Sequence, residues 1–574
     1  MSVVWRGLLF AVSNLGWWEG VRVRTGVDER YLPSLTVAVQ VTILVLGGIL
    51  NLLAETSLLL FASGLFAFLY SIRRNHGLGF LRTYLTPAFL FLGLWVLIIA
   101  AVVKGKQFAH YDNFSHWALV VREMLLTNRF PSFRSELIRY PEYPLGSSSY
   151  IYYWAYIVGS SESLQMLAQS YAELVCVLPL FTYAKRNRLA SSLVIIAATN
   201  LFLVYNISVA DLLVDTLLPL VGMCALLFSR KYCGKDGSRR AIPWLGFYAV
   251  QLVQIKNSGL FFAILLWLNL LVNLRREYLQ AQLSSLLAAP FSLLLWHRHC
   301  RYVLEGAEGS KHALTGANLI QSFQAKDPET VRTICSSMLK FAVGWRDLRL
   351  FVLVFLGLGF LIFFFAKMER RSFTRLFLLS LALYVCYQVG LLAMYLFSMP
   401  TDEALTLAGN IRYARTIILA VMYLATVCAI KLVSAQTPPR RLLAFVFAVV
   451  TSFVFLDFVF HATGRFRFVL PYQGDTTERV WIQDIQNEYQ LPNGESYCIL
   501  IPEYDYGYTT YLSRYLFWSP YSTGLVIDDE QKLDRLDVQY LLNYDPGNPI
   551  IQKWISAHYP DQSDSQVIML HPKT

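Results

Sequence analysis

About thirteen apolar runs follow one another along this chain, separated by mostly short polar connections, and they leave it few ways to fold. Their limits are 33–50, 53–71, 84–103, 164–184, 189–206, 212–229, 241–255, 259–274, 283–297, 349–366, 376–396, 413–433 and 442–460. Most are long enough to cross the hydrocarbon of a bilayer, and the shorter ones do so if tilted. A segment in lipid must satisfy its own backbone hydrogen bonds, so each such run is expected to be helical. Composition agrees. Of the residues, 56% are hydrophobic and 15% charged, where soluble proteins are about a quarter charged. The expected fold class is an α-helical polytopic membrane protein of about thirteen transmembrane helices.

The net charge of +11 at first suggests a nucleic-acid partner. The basic residues lie, however, in short clusters between the runs, and not in one stripe. Arg73, Arg74 and Arg82 follow the second run, Lys185-Arg186-Asn187-Arg188 the fourth, and Arg230-Lys231 through Arg239-Arg240 the sixth. Arg275-Arg276 follow the eighth, Lys367 to Arg375 the tenth, and Lys431 with Arg440-Arg441 the twelfth. Every second connection is basic, which places those connections and the N-terminus in the cytoplasm and the C-terminus outside. This alternation also argues against a span at Gly146 to Gly159. That stretch, with Tyr150, Tyr152, Tyr153, Trp154 and Tyr156, is expected to lie along the outer face at headgroup level or to re-enter the membrane. Two long outer loops result, 104–163 and 298–348.

No cleavable signal peptide is evident, because Ser13 to Arg30 is polar and lacks a small-residue cleavage site. The eight cysteines form no CxxC pair and lie mostly in apolar runs, so neither a metal knuckle nor a disulfide framework is expected. From 461 to 574 the pattern changes. Short apolar runs at Tyr497 to Ile501, Leu525 to Ile527, Val538 to Leu542 and Val567 to Leu570 alternate with helical stretches, as in a small α/β domain on the outside. The expected organisation is a region 1–83 with two added helices, a catalytic membrane region 84–460, and the extracytoplasmic domain 461–574. There is no Gly-rich phosphate loop and no internal repeat.

Several residues carry possible chemistry on the outer side. Asp112, in Tyr111-Asp112-Asn113-Phe114-Ser115-His116-Trp117, stands where a membrane helix emerges: it is either a general base or orienting carboxylate, or a helix N-cap. His116 lies four residues on, on the same face if the segment is α-helical, and either assists or faces the headgroups. Glu142 lies in a loop with two prolines that packs over the site or adds a second carboxylate. Lys256, between two apolar runs, is placed to contact a lipid phosphate or to snorkel. Asp211 and Asp215 enter the sixth run, as sugar or cation ligands or as helix-start charges. His297, Arg298, His299 and Arg301 make a basic collar with no carboxylate to complete a metal site. Arg412 and Arg415, three apart at an outer helix start, suit a phosphate clamp.

The Tyr111 to Trp117 stretch, Lys311-His312-Ala313-Leu314 and Arg412-Tyr413-Ala414-Arg415 resemble the GT-C superfamily of glycosyltransferases. Its members include protein mannosyltransferases, the lipid A aminoarabinose transferase and bacterial cell-surface polysaccharide enzymes. The resemblance covers about 80–460. It implies a polyprenyl-phosphate sugar as donor and places Asp112 at the position of the catalytic loop carboxylate. The chain departs from the pattern in two ways. Relatives carry an acidic pair, Asp-x-Asp or Glu-x-Asp, whereas His110 stands two before Asp112 here, so a divalent cation is not supported by the motif. Two spans also precede the one that leads into the loop.

The expected function is glycosyl transfer from a polyprenyl-phosphate sugar to a surface glycan or glycolipid acceptor at the outer face of the lipid bilayer, without nucleic acid and without a confident cofactor. Asp112 and His116 are the expected catalytic residues, and Lys256, Arg412 and Arg415 the carrier-phosphate ligands. Glu142, Asp215 and His312 are weaker candidates for sugar or acceptor contact. The competing readings are a lipid-linked oligosaccharide polymerase or ligase, a flippase or transporter of lipid-linked sugars, and a membrane scaffold with a partner-binding domain.

Overall fold

A computed structural model describes residues 2–185, 187–234, 238–304, 316–365, 370–435, 476–563 and 565–570. Contacts divide the chain into two compact units. One comprises Met1–Lys104, Asn128–Phe130 and Glu142–Tyr472, the other Gly105–Thr127, Pro131–Pro141 and Gln473–Thr574.

The first unit is built from helices. Among the described residues, seven are long and apolar enough to cross a membrane: Glu29–Ile49, Leu53–Arg74, Glu162–Tyr183, Arg188–Tyr205, Arg276–Val303, Arg370–Phe397 and Asn410–Ser434. An eighth arises if Leu78–Tyr84 and Pro87–Val103, bent by 83° to one another, are taken as one span. The bend falls where Thr86, extended ahead of Pro87, cannot continue a helix. The other apolar runs that lie among the described residues are helical but shorter. Ile242–Ile255 and Gly259–Val272 have 14 residues each, about 21 Å at 1.5 Å per residue, well below the roughly 30 Å of a hydrocarbon core. The run at 212–229 becomes helical only from Leu217. The run at 442–460 lies outside the described residues. The described residues therefore form a helical bundle with the apolar character of a membrane protein, of which seven or eight helices, against about thirteen expected with some short or tilted, are long enough to cross.

Two elements differ from the sequence reading. The polar N-terminal stretch belongs to a 23-residue helix, Val3–Thr25, ended by Gly26 in the left-handed region. It packs on Leu53–Arg74 through small residues, with Ser13 Oγ donating to the Phe61 carbonyl at 2.8 Å and Trp17 Nε1 to that of Leu60 at 3.0 Å. The helix Gly146–Ile157 does not lie along a surface. Gly146 to Ala155 are all buried, against Glu29–Ile49 and Glu162–Val175 among others. The rings of Tyr150, Tyr152, Tyr153 and Trp154 are buried inside the bundle while Tyr156 is exposed, so the expectation of a helix laid along the outer face is corrected.

The second unit contains a four-stranded sheet: β1 Tyr497–Leu500, β2 Thr523–Leu525, β3 Tyr540–Asn543 and β4 Val567–Met569, in the order β2-β1-β3-β4. The first three strands are mutually parallel and β4 is antiparallel to β3. Alternation along the strands supplies a core on each face. Cys498, Leu500, Leu541 and Ile568 pack with Leu533, Ile551, Trp554 and Ile555. Tyr497 points the other way and stacks on Phe517 of helix Tyr508–Phe517 at 3.9 Å. The sequence reading placed this domain's start at 461 and gave the whole of 104–163 to the membrane region. In the structure 105–127 and 131–141 belong to the same unit as the sheet.

Candidate functional site

Aromatic packing fixes the Asp112 segment within the second unit. Phe114 is buried against the rings of Tyr508 and Tyr515, at 5.9 and 5.3 Å. Arg479 donates to the Phe108 carbonyl at 2.6 Å, and Tyr508 donates its hydroxyl to that of Ala109 at 3.1 Å. Tyr111 meets Tyr511 edge-on at 5.0 Å. Burial, aided by the Tyr511 hydroxyl and the Asp112 carboxylate, raises the Tyr111 phenol above its usual value.

Asp112 opens a π-helical turn, Asn113–Trp117, closed by the Ala118 N–H on the Asn113 carbonyl. Such turns occur frequently at functional sites. The Asp112 carboxylate makes no capping bond to this turn, so the N-cap role is not the one it takes. Its backbone N–H donates to His110 Nδ1 at 3.1 Å. His110, standing where relatives of the resembled family carry an acid, thus shapes the turn. Asp112 and His116 differ in exposure rather than in register along this turn. Asp112 is half-buried, while His116 is buried edge-on against Trp117 at 4.9 Å and Tyr140 at 6.1 Å.

In the first unit, the cations singled out by sequence converge on two carboxylates. Lys256 sits in the break between two short helices, with extended backbone (φ −162°, ψ 152°). The second helix restarts at Gly259 so close to the first that a Cβ there would stand 1.8 Å from the Leu252 carbonyl oxygen. Lys256 Nζ reaches Asp215 Oδ1 at 2.9 Å and lies 4.7 Å from the centre of the Tyr413 ring. Arg412 Nε approaches the other oxygen of Asp215 at 3.5 Å. Arg415 Nε pairs with Asp347 Oδ2 at 3.2 Å, and Tyr205 donates its hydroxyl to the same oxygen at 2.8 Å. Asn206 holds the Arg412 carbonyl at 3.1 Å, and Thr416 Oγ1 donates to the Asp215 carbonyl at 3.3 Å. Lys256 and Arg412 therefore share Asp215, and Arg415 pairs with Asp347, both carboxylates being buried.

The remaining candidates fall elsewhere. Glu142 rests on helix Arg276–Val303, where its carbonyl accepts from Trp296 Nε1 at 3.0 Å. His299 of the basic collar is buried against the rings of Phe130 and Trp296. His312 and the Lys311 to Leu314 motif lie outside the described residues. Among the described residues no three His, Cys, Asp or Glu side chains gather as metal ligands would. Sequence reasoning missed Asp347 and Tyr205. The available signal was a carboxylate, Asp347, at the head of the apolar run 349–366, on the side already assigned to Arg412 and Arg415.

No protein-family model matches this chain, and a search of curated proteins finds no match.

Proposed function

We propose that this chain is a glycosyltransferase of GT-C type, with about thirteen membrane crossings when the short ones are counted. It moves a sugar from a polyprenyl-phosphate donor to a glycan or glycolipid acceptor on the extracytoplasmic face. The observation that carries this reading is the Lys256, Arg412 and Arg415 cluster, gathered around Asp215 and Asp347. Placed in a largely apolar unit, the guanidinium groups would stabilise the charge that grows on the departing phosphate. Asp112, on a turn that leaves its carboxylate out of helix capping, is the group that accepts the proton of the attacking hydroxyl. His116, buried beside it in sequence, is assigned to supporting that turn.

The test is transfer in membranes supplied with radiolabelled polyprenyl-phosphate sugars. Asp112→Asn is expected to lower transfer by about 10²–10⁴-fold at unchanged protein level, the range for loss of a general base. Full transfer by this variant would remove Asp112 from the chemistry.

A further inference from the structure

The chain leaves β1 to form β2 on one side, whereas β3 lies on the other side of β1. In open α/β sheets, ligands bind in the crevice beyond the carboxyl ends of strands at such a point. Here that edge is bordered by two loops, 501–507 after β1 and 544–548 after β3. Each leads into a helix, Tyr508–Phe517 and Pro549–His558. A helix N-terminus so placed is often a phosphate site, but both of these are closed by their own side chains. The Asp505 carboxylate accepts from the N–H groups of Gly507 at 2.9 Å and Thr509 at 2.7 Å. Asn548 Oδ1 accepts from the Ile550 N–H at 3.0 Å. The two loops carry Glu503, Asp505 and Asp545 and no lysine or arginine. An anionic ligand would meet three carboxylates and no open helix end.

What the first loop presents is aromatic. Tyr504 and Tyr506 are 72% and 81% exposed, with ring centroids 5.1 Å apart. The neighbouring Tyr508, Tyr511 and Tyr515 turn inward, onto the Asp112 segment. Tyr506 holds a left-handed backbone (φ +55°), rare for a bulky residue. Two adjacent, solvent-facing rings beside a carboxylate suit a ligand that is apolar on its faces and rich in hydroxyl donors at its edges. Pyranose rings have that character: their C–H faces lie on aromatic rings, and their hydroxyls donate to carboxylates.

We propose that Tyr504 and Tyr506, with Glu503, form an open platform for an uncharged oligosaccharide. Naming that oligosaccharide as the acceptor chain rests on the glycosyltransfer reading. The platform is tied to the Asp112 segment within one unit, because the helix that begins two residues after Tyr506 supplies Tyr508 and Tyr511 to that segment. The three carboxylates make an anionic membrane surface a poor occupant.

The experiment uses full-length protein in detergent, probed with an array of neutral hexose and N-acetylhexosamine oligosaccharides, sulfated oligosaccharides, and phosphatidylglycerol vesicles. Retention of at least one neutral oligosaccharide is expected, weakened at least tenfold by joint Tyr504→Ala and Tyr506→Ala substitution, with an unchanged thermal unfolding midpoint. Glu503→Gln is expected to weaken it less. Absence of neutral-glycan binding, or equal binding by the double variant, would overturn the proposal. So would loss of vesicle binding alone, which would assign the rings to the membrane. Asp112→Asn is expected to keep glycan binding. If the wild-type protein binds glycan but transfers no sugar, the platform stands and the transferase reading fails.

Discussion

One oxygen of Asp347 serves two partners, the Arg415 guanidinium and the Tyr205 hydroxyl. Asp347 and Tyr205 are buried and Arg415 is partly so, and the pair joins positions 68 apart in sequence. Removing the carboxylate leaves a guanidinium and a hydroxyl short of an acceptor in a place poor in water, whereas removing both charges leaves less unsatisfied. A double-mutant cycle of Asp347→Asn and Arg415→Gln, read by thermal or denaturant unfolding in detergent, is expected to give a coupling of about 1–3 kcal/mol. A coupling near zero would mean that Asp347 does not hold Arg415. Lys256 and Arg412 share Asp215 in the same manner. The arginines and the lysine were legible as a clamp because cations are rare at that side of the chain. Asp215 was also singled out, as a possible sugar or cation ligand, but its pairing with these cations was not; Asp347, in the first turn of helix Arg346–Phe365, was missed because only folding decides what that turn meets.

At the scale of elements, close approach of backbones matters more than hydrophobicity. Helices Val3–Thr25 and Leu53–Arg74 meet at Gly16 and Gly64, where a Cβ on Gly16 would stand 1.9 Å from the Gly64 carbonyl oxygen. Small residues at such crossings let backbones pack and let Ser13 and Trp17 bond the facing carbonyls. Gly16→Leu is expected to destabilise the protein by about 3 kcal/mol or more, the upper end for overpacking, seen as a lower unfolding midpoint and reduced yield. Gly20→Ala is the control: a Cβ there meets only Ala67 at 3.9 Å and is expected to be tolerated. The π turn at Asn113–Trp117 makes a related point. Sequence spacing alone could not tell that His116 is buried against Trp117 and Tyr140 while Asp112 is half-buried.

At the scale of the whole molecule, distant parts of the chain are joined by a few charged ties. Asp28 accepts from Arg30 at 2.7 Å, and from Lys231, 203 residues away, at 2.7 Å. Its backbone N–H donates to Tyr232 at 2.7 Å. Burial alone would raise this carboxyl, but the hydrogen bonds from Arg30 and Lys231 outweigh burial and hold it below its ordinary value. The lowered pKa fixes the sign. The stabilisation is present above the unfolded carboxylate value of about 4 and is lost as pH falls through the folded value. The unfolding midpoint is therefore expected to drop between about pH 5 and about pH 2. Asp28→Asn is expected to lower the midpoint at neutral pH and to flatten that dependence. An equally steep acid loss in the variant would assign it to other carboxylates.

Much of the helical unit could be read from the chain because a bilayer imposes a one-dimensional rule: apolar length makes a helix, and each run among the described residues is helical over most of its length. Short apolar runs likewise marked the strands at Tyr497, Tyr540 and Val567, whereas the strand Thr523–Leu525 lies just ahead of the expected run Leu525 to Ile527. What the sequence by itself determined is the class of each segment, because that depends on composition over ten to twenty neighbours. Only tertiary structure decided that Gly146–Ile157 is interior and that 105–127 joins the sheet-bearing unit. It likewise decided that Asp347 meets Arg415, and that Tyr504 and Tyr506 are the most exposed of the tail's described tyrosines. Those outcomes depend on which rings and charges from remote parts of the chain meet, and local periodicity carries no record of that.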